Sequence, residues 1–145
     1  MTKTSNEGVV RKIYDEFNRG EDWIGHFVAD SATYVDFSGR THGKEDMRKF
    51  FESFLRGFPD GRGRIDRTIS QGNMVVVEYT LWGTHSGEFA GIPATGKKFE
   101  YKAIEIYDFE AGKVKHLNNF MKTDEPIWLQ YLRFVEHIQY QQSKK

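Results

Sequence analysis

The chain contains no cysteine. That absence excludes disulfide bonds, a thiolate nucleophile and cysteine-ligated zinc together. An excess of one charge is missing too: 21 Lys and Arg face 21 Asp and Glu, for a formal net charge of zero. Neither a basic surface for nucleic acid nor an acidic solvating tail is therefore expected. No apolar run approaches the ~18 residues of a membrane span, and the first ten residues hold no apolar signal core. These features read as a soluble, unsecreted, cytoplasmic protein with no membrane partner. The five histidines show no HExxH or other dense ligand spacing, and the glycines never take a dinucleotide or Walker arrangement. A Gly-x-Ser-x-Gly nucleophile elbow is also absent. Neither a metal nor a cofactor is expected.

What the chain does have is rings. Phe, Trp and Tyr make up 15% of 145 residues, more than a small domain needs for packing alone. Rings also line pockets, because they offer large apolar area with few rotamers to freeze. The length fits one domain over residues 1–145, able to bury roughly 68–70% of its unfolded surface.

Helical spacing of Val9, Val10, Ile13, Tyr14 and Phe17 predicts a helix over 7–19, capped by Ser5 or Asn6 and stopped at Gly20. A shorter helix follows over 23–28, broken by Asp30 and Ser31. Residues 32–37 read as a strand and 38–43 as a turn. A second long helix over 44–57 carries Met47, Phe50, Phe51, Phe54 and Leu55 on one side. It ends at Phe58 before Pro59, since a residue preceding proline avoids the helical region. Strands are predicted over 64–71, 74–84, 97–109 and 113–122, joined by short turns and hence antiparallel. Pro126 opens a last helix near 127–139. Helices first and a meander after give the α+β class.

Thr41-His42-Gly43-Lys44-Glu45-Asp46, then Phe50-Phe51 and Phe58-Pro59-Asp60, resemble the turn, helix and corner of SnoaL-like proteins. The stretch from Gly83 through His85, Gly87, Glu88, Phe89, Gly91, Ile92, Pro93 and Thr95 to Gly96 is similar to that family's glycine-rich loop. Ile104-Glu105-Ile106-Tyr107 ahead of Gly112-Lys113-Val114 extends the match. The resemblance implies a nuclear-transport-factor-2-like fold: a cone-shaped, curved antiparallel sheet wrapped by helices around a pocket. It also implies a homodimer through the outer sheet face. The family's activities include polyketide ring closure by aldol chemistry; related folds isomerise, dehydrate or hydrolyse epoxides, and other members only bind. Cyclases end their last strand in Trp-x-x-x-Asp, the Asp being the acid/base. Aligned on Gly112-Lys113-Val114, this chain has Asn118 and Lys122 at those positions.

Residues two apart on a strand share a face, so Val114, His116, Asn118, Phe120 and Lys122 form one set and Phe99, Tyr101, Ala103, Glu105 and Tyr107 another. Glu105, if buried, is poised as a general base by desolvation; otherwise it is a solvated or interface carboxylate. Lys122 is either a desolvated amine able to reach a carbonyl or a surface lysine. Related dehydratase-type folds pair an Asp with a His, which makes Asp36 with His42, His85 or His116 a candidate dyad; the plain alternative is an Asp that caps a turn. His85 sits at the mouth of the glycine-rich loop, a candidate lid. Tyr14, Phe17, Trp23, Phe50, Phe54, Trp82 and Tyr101 are the expected wall, with His42 and Asn118 as polar contacts. Two readings follow. One is a cofactor-free proton-transfer enzyme for a small hydrophobic carbonyl or polyketide-like substrate, with Asp36, Glu105 and a histidine moving protons and Tyr101, Asn118 and Lys122 orienting the carbonyl. The other is a non-catalytic ligand-binding or dimerising domain.

Overall fold

The computed structural model describes residues 5–36, 39–89 and 91–121. Lys122 and the expected final helix lie outside the described residues. Helix α1 spans Asn6–Arg19. The Ser5 hydroxyl accepts a bond from the Gly8 amide at 3.0 Å, and Gly20 closes the helix at φ 72°, a conformation that glycine adopts without strain. Helix α2 is Trp23–Phe27, and α3 is Lys44–Gly57.

The strands are β1 Val28–Val35, β2 Thr41–Gly43, β3 Arg62–Gln71, β4 Met74–Thr84, β5 Lys98–Glu110 and β6 Lys113–Met121. They form one sheet in the order β2-β1-β6-β5-β4-β3. Two expectations are corrected here. The chain turns directly from α2 into β1, so Asp30 and Ser31 lie within the strand. Thr41–Gly43, expected as a turn, is a short strand that pairs with Thr33–Val35. The meander itself is antiparallel, but β1 returns beside β6 in parallel.

One face of the sheet is covered by α1, which packs on β3 and β4, and by α3, which packs on β1 and β2. Between them lies a single apolar core that includes Val10, Ile13, Met47, Phe54, Val75, Val77, Val114 and Leu117. Each such side chain contributes about 1.5–3 kcal/mol when fully buried. No helix among the described residues is long and apolar enough to cross a membrane.

Two devices tie the helices to the sheet. The Asn18 amide brackets the backbone of Gly63, donating to its carbonyl at 2.9 Å and accepting from its N–H at 2.8 Å. At the C-terminal end of β4, the Asp60 carboxylate accepts from the Thr84 backbone N–H at 2.7 Å and from its hydroxyl at 2.8 Å. The corner after α3 is thereby fixed to the start of the glycine-rich loop.

Candidate active site

The inner face of β5 carries Phe99, Tyr101, Ala103, Glu105, Tyr107 and Phe109, and that of β4 carries Val75, Val77, Tyr79 and Leu81. This is the period of two that a half-covered strand imposes. In the middle, Ala103 has only a methyl group, and Gly63 on β3 has none. A Cβ at Gly63 would stand 3.3 Å from the Tyr14 ring, so the glycine lets that ring lie against the sheet. A cavity of about 70 Å³ remains, lined by aromatic rings from α1, α2, α3 and the sheet and by two polar side chains other than tyrosine, Glu105 and Asn119. At ~30 Å³ per water that is room for about two waters, and a six-membered ring enters only with some movement of the wall.

Glu105 is the charged group of this cavity. Its Oε2 accepts from the Tyr14 hydroxyl at 3.1 Å and from the Tyr107 hydroxyl at 2.5 Å. Its Oε1 faces the Asn119 amide nitrogen at 3.4 Å, and the same nitrogen lies 2.6 Å from the Tyr79 hydroxyl. Desolvation by the surrounding protein raises the carboxyl pKa, and the bonds from Tyr107, Tyr14, Tyr79 and Asn119 offset only part of that rise. Burial, together with the nearby carboxylate, pushes Tyr14 and Tyr107 well above the usual phenol range. These phenols are therefore neutral donors at physiological pH. The carboxylate is the group whose protonation changes most readily.

The structure gathers Tyr14, Phe17, Trp23, Phe50, Phe54, Tyr101 and Glu105 around the cavity. Tyr34, Phe51, Tyr79, Tyr107 and Asn119 complete the lining. Several expected residues stand elsewhere. Asn118 is on the outer face, and the inward amide is Asn119. The reason is a bulge: Asp108 pairs with His116 but Phe109 pairs with Val114, so Lys115 is an extra residue on β6. One inserted residue reverses the facing of all that follow. Val114, Leu117 and Asn119 thus turn inward, and His116, Asn118 and Phe120 turn out.

His116 bonds the Thr33 hydroxyl at 2.6 Å in an exposed position. Trp82 is likewise outside, with the Arg64 guanidinium 5.9 Å above its ring. Of the candidate dyads, Asp36–His42 forms, with Nε2 to Oδ2 at 2.7 Å. It lies beside the cavity rather than in its lining: the His42 ring packs at 5.8 Å on Tyr34, which is itself in the wall.

His85 is no lid residue facing a ligand. It is 1% exposed and packs on Phe58, and its Nδ1 lies 2.9 Å from the Thr95 hydroxyl. Its carbonyl accepts from Thr95 and Gly96, so it braces the two ends of the glycine-rich loop. Burial depresses its pKa below the ordinary value near 6.5, against opposing backbone bonds from Ile92 and Gly87. A histidine with a depressed folded pKa contributes stability above its unfolded pKa, and that contribution is lost as pH falls through the folded value. Wild-type protein is expected to lose thermal stability over the first unit below pH 6.5. His85→Gln, though less stable throughout, should lack that component, as a thermal-melt series against pH will report.

Comparisons with known proteins agree with this fold. AclR, a candidate hydroxylase from Streptomyces galilaeus, superposes with a TM-score of 0.76 at 21% identity, over 86% of this chain and 93% of its own. IdmH, a candidate polyketide cyclase from Streptomyces antibioticus, gives 0.74 at 19% identity, over 87% and 98%. A SnoaL-like polyketide cyclase from Agrobacterium tumefaciens gives 0.69 at 20%, over 83% and 94%. At these identities the likeness speaks for the fold alone. No curated protein matches the sequence. The family model for SnoaL-like polyketide cyclases matches residues 8–120, most of the chain, and the protein belongs to that family.

Proposed function

We propose that the protein is a cofactor-free proton-transfer enzyme acting on a small cyclic carbonyl compound, with Glu105 as the general base. One observation carries the reading: a single carboxylate, raised in pKa by burial, stands in the wall of an aromatic cavity and is held by two phenols. A carboxyl raised above its ordinary value is a stronger base when ionised, and a positioned base contributes typically 10²–10⁴-fold. Tyr14 and Tyr107, both neutral, each give their one O–H to the carboxylate and so hold it in place. The small cavity volume favours a substrate of no more than one ring; a multi-ring polyketide requires the aromatic wall to move much further.

The test is hydrogen–deuterium exchange at the α-carbons of cyclohexanone in D₂O, followed by NMR. Acceleration over buffer, lost in Glu105→Gln, supports the base. Binding without acceleration in the wild type would overturn it and favour the non-catalytic ligand-binding reading.

Pairing of two copies through the outer face is part of the same proposal. Ile69 is 69% exposed and Phe120 47%. Between them Ile69, Val76 and Ile106 are cross-strand neighbours, as are Ile104 and Phe120. This apolar outer surface is poorly suited to lie in water. Sedimentation is expected to show a dimer that Phe120→Asp converts to monomer while leaving the cavity untouched. A monomeric wild type at micromolar concentration would sink the pairing.

A further inference from the structure

Among the described residues, one buried side-chain nitrogen or oxygen has no hydrogen-bond partner: the Asn119 Oδ1. The side chain is 8% exposed and lines the cavity. Its amide nitrogen is committed, standing 2.6 Å from the Tyr79 hydroxyl and 3.4 Å from the Glu105 carboxylate. Reversing the amide does not remove the deficit. It exchanges the unpartnered oxygen for an unpartnered NH₂. Plain packing does not ask for an amide here, since the other inward residues of β6, Val114 and Leu117, are apolar. A buried acceptor without a partner forfeits its hydration for nothing in return.

We propose that Asn119 is the specificity-determining residue of the cavity, its Oδ1 accepting a hydrogen bond from a hydroxyl or enol O–H on the ligand. The inference rests on the cavity being a ligand site, as proposed above, but not on proton transfer. The class selected is a single-ring compound bearing an O–H donor, in preference to an isostere that is apolar or carries oxygen only as an acceptor. Glu105 and Asn119 then divide the work: the carboxylate reads the acidic proton, and the amide reads the donor.

Three probes of near-equal size test this at neutral pH: phenol, toluene, which lacks the oxygen, and anisole, which keeps the oxygen and loses the donor. Calorimetry on the wild type is expected to show phenol bound about tenfold or more tightly than either analogue. In Asn119→Leu the ratio falls to about one through loss of phenol affinity, with toluene still bound, which certifies that the cavity has survived. The readout is binding alone, so the preference stands or falls without proton transfer, while α-proton exchange reports on Glu105 separately; the failure of one proposal is distinguishable from the failure of the other. A wild type that binds the three equally overturns the assignment without recourse to any variant. So does an Asn119→Leu protein that keeps the preference for phenol.

Discussion

Glu105→Gln should abolish α-proton exchange, by the 10²–10⁴-fold typical of a positioned base, and at the same time make the protein more stable at neutral pH. The two effects have one cause. The carboxyl is buried beside Tyr14, Tyr107, Tyr79 and Asn119, and desolvation raises its folded pKa above the ordinary carboxylate value. A group with a raised folded pKa binds its proton more tightly in the native state. Its contribution to stability is therefore full below the unfolded pKa and is lost as pH rises through the folded value. Once pH rises through the folded value, the native protein carries an ionised carboxylate in a poorly solvated place, and that strain is what makes the group a base.

The neutral amide of Gln keeps an oxygen to accept from the Tyr14 and Tyr107 hydroxyls and carries no charge to desolvate. The melting temperature of the variant is thus expected to exceed that of the wild type at pH 8, with the gap closing as pH falls to about 4.5, the ordinary glutamate value. Thermal melts across that range check it. A gap independent of pH would mean that the wild-type carboxyl is not titrating in the native state, and the base assignment would fall with it. Loss of exchange alone, without the stability trend, would mark Glu105 as a contact rather than a base.

Much of the fold was legible because local signals and tertiary packing agree. The helix 44–57 and the strand 74–84 have the boundaries that the spacing predicts, and Ser5 and Gly20 cap α1 as capping chemistry requires. Alternation along β5 placed Glu105 on one face with Tyr101 and Tyr107, and that face proved to be inward. What alternation cannot reveal is an inserted residue. Lys115 interrupts the period of β6 without a glycine or proline to mark it, so Asn118 was favoured where Asn119 is the inward amide. Short β2 was unreadable for another reason: three residues make a strand only because β1 lies beside them. Tyr34 and Tyr79, each in a strand whose facing was open, became cavity residues only once the sheet order was fixed. The histidines misled in a consistent way. Chemical versatility made them candidates, whereas His85 serves packing and loop geometry, and His116 caps a strand contact on the outer face.

The glycine-rich loop also explains why a family pattern can be recognisable without touching the chemistry. The Ser86 and Gly87 amides both donate to the Gly57 carbonyl at 3.1 Å, which brings the loop against the end of α3. A Cβ at Gly87 would stand 2.0 Å from the Arg56 carbonyl oxygen, a backbone atom that no side-chain rotation can relieve. Gly87→Ala must therefore part the loop from the helix, breaking those two bonds and disturbing the Phe58–His85 and Phe58–Phe89 ring contacts beside them. The expected loss is about 1–3 kcal/mol from overpacking, with about 0.5–1.5 kcal/mol more for each backbone bond that is not remade. Denaturant unfolding measures the sum, and amide exchange locates it: protection should fall at Ser86, Gly87 and Phe89 while Tyr79 and Glu105 on the central strands stay protected. An alanine variant as stable as the wild type would show that the loop does not need this close approach. A destabilised variant that still binds phenol with its preference intact would place the loop's role in holding the end of α3, with ligand recognition left to Glu105 and Asn119.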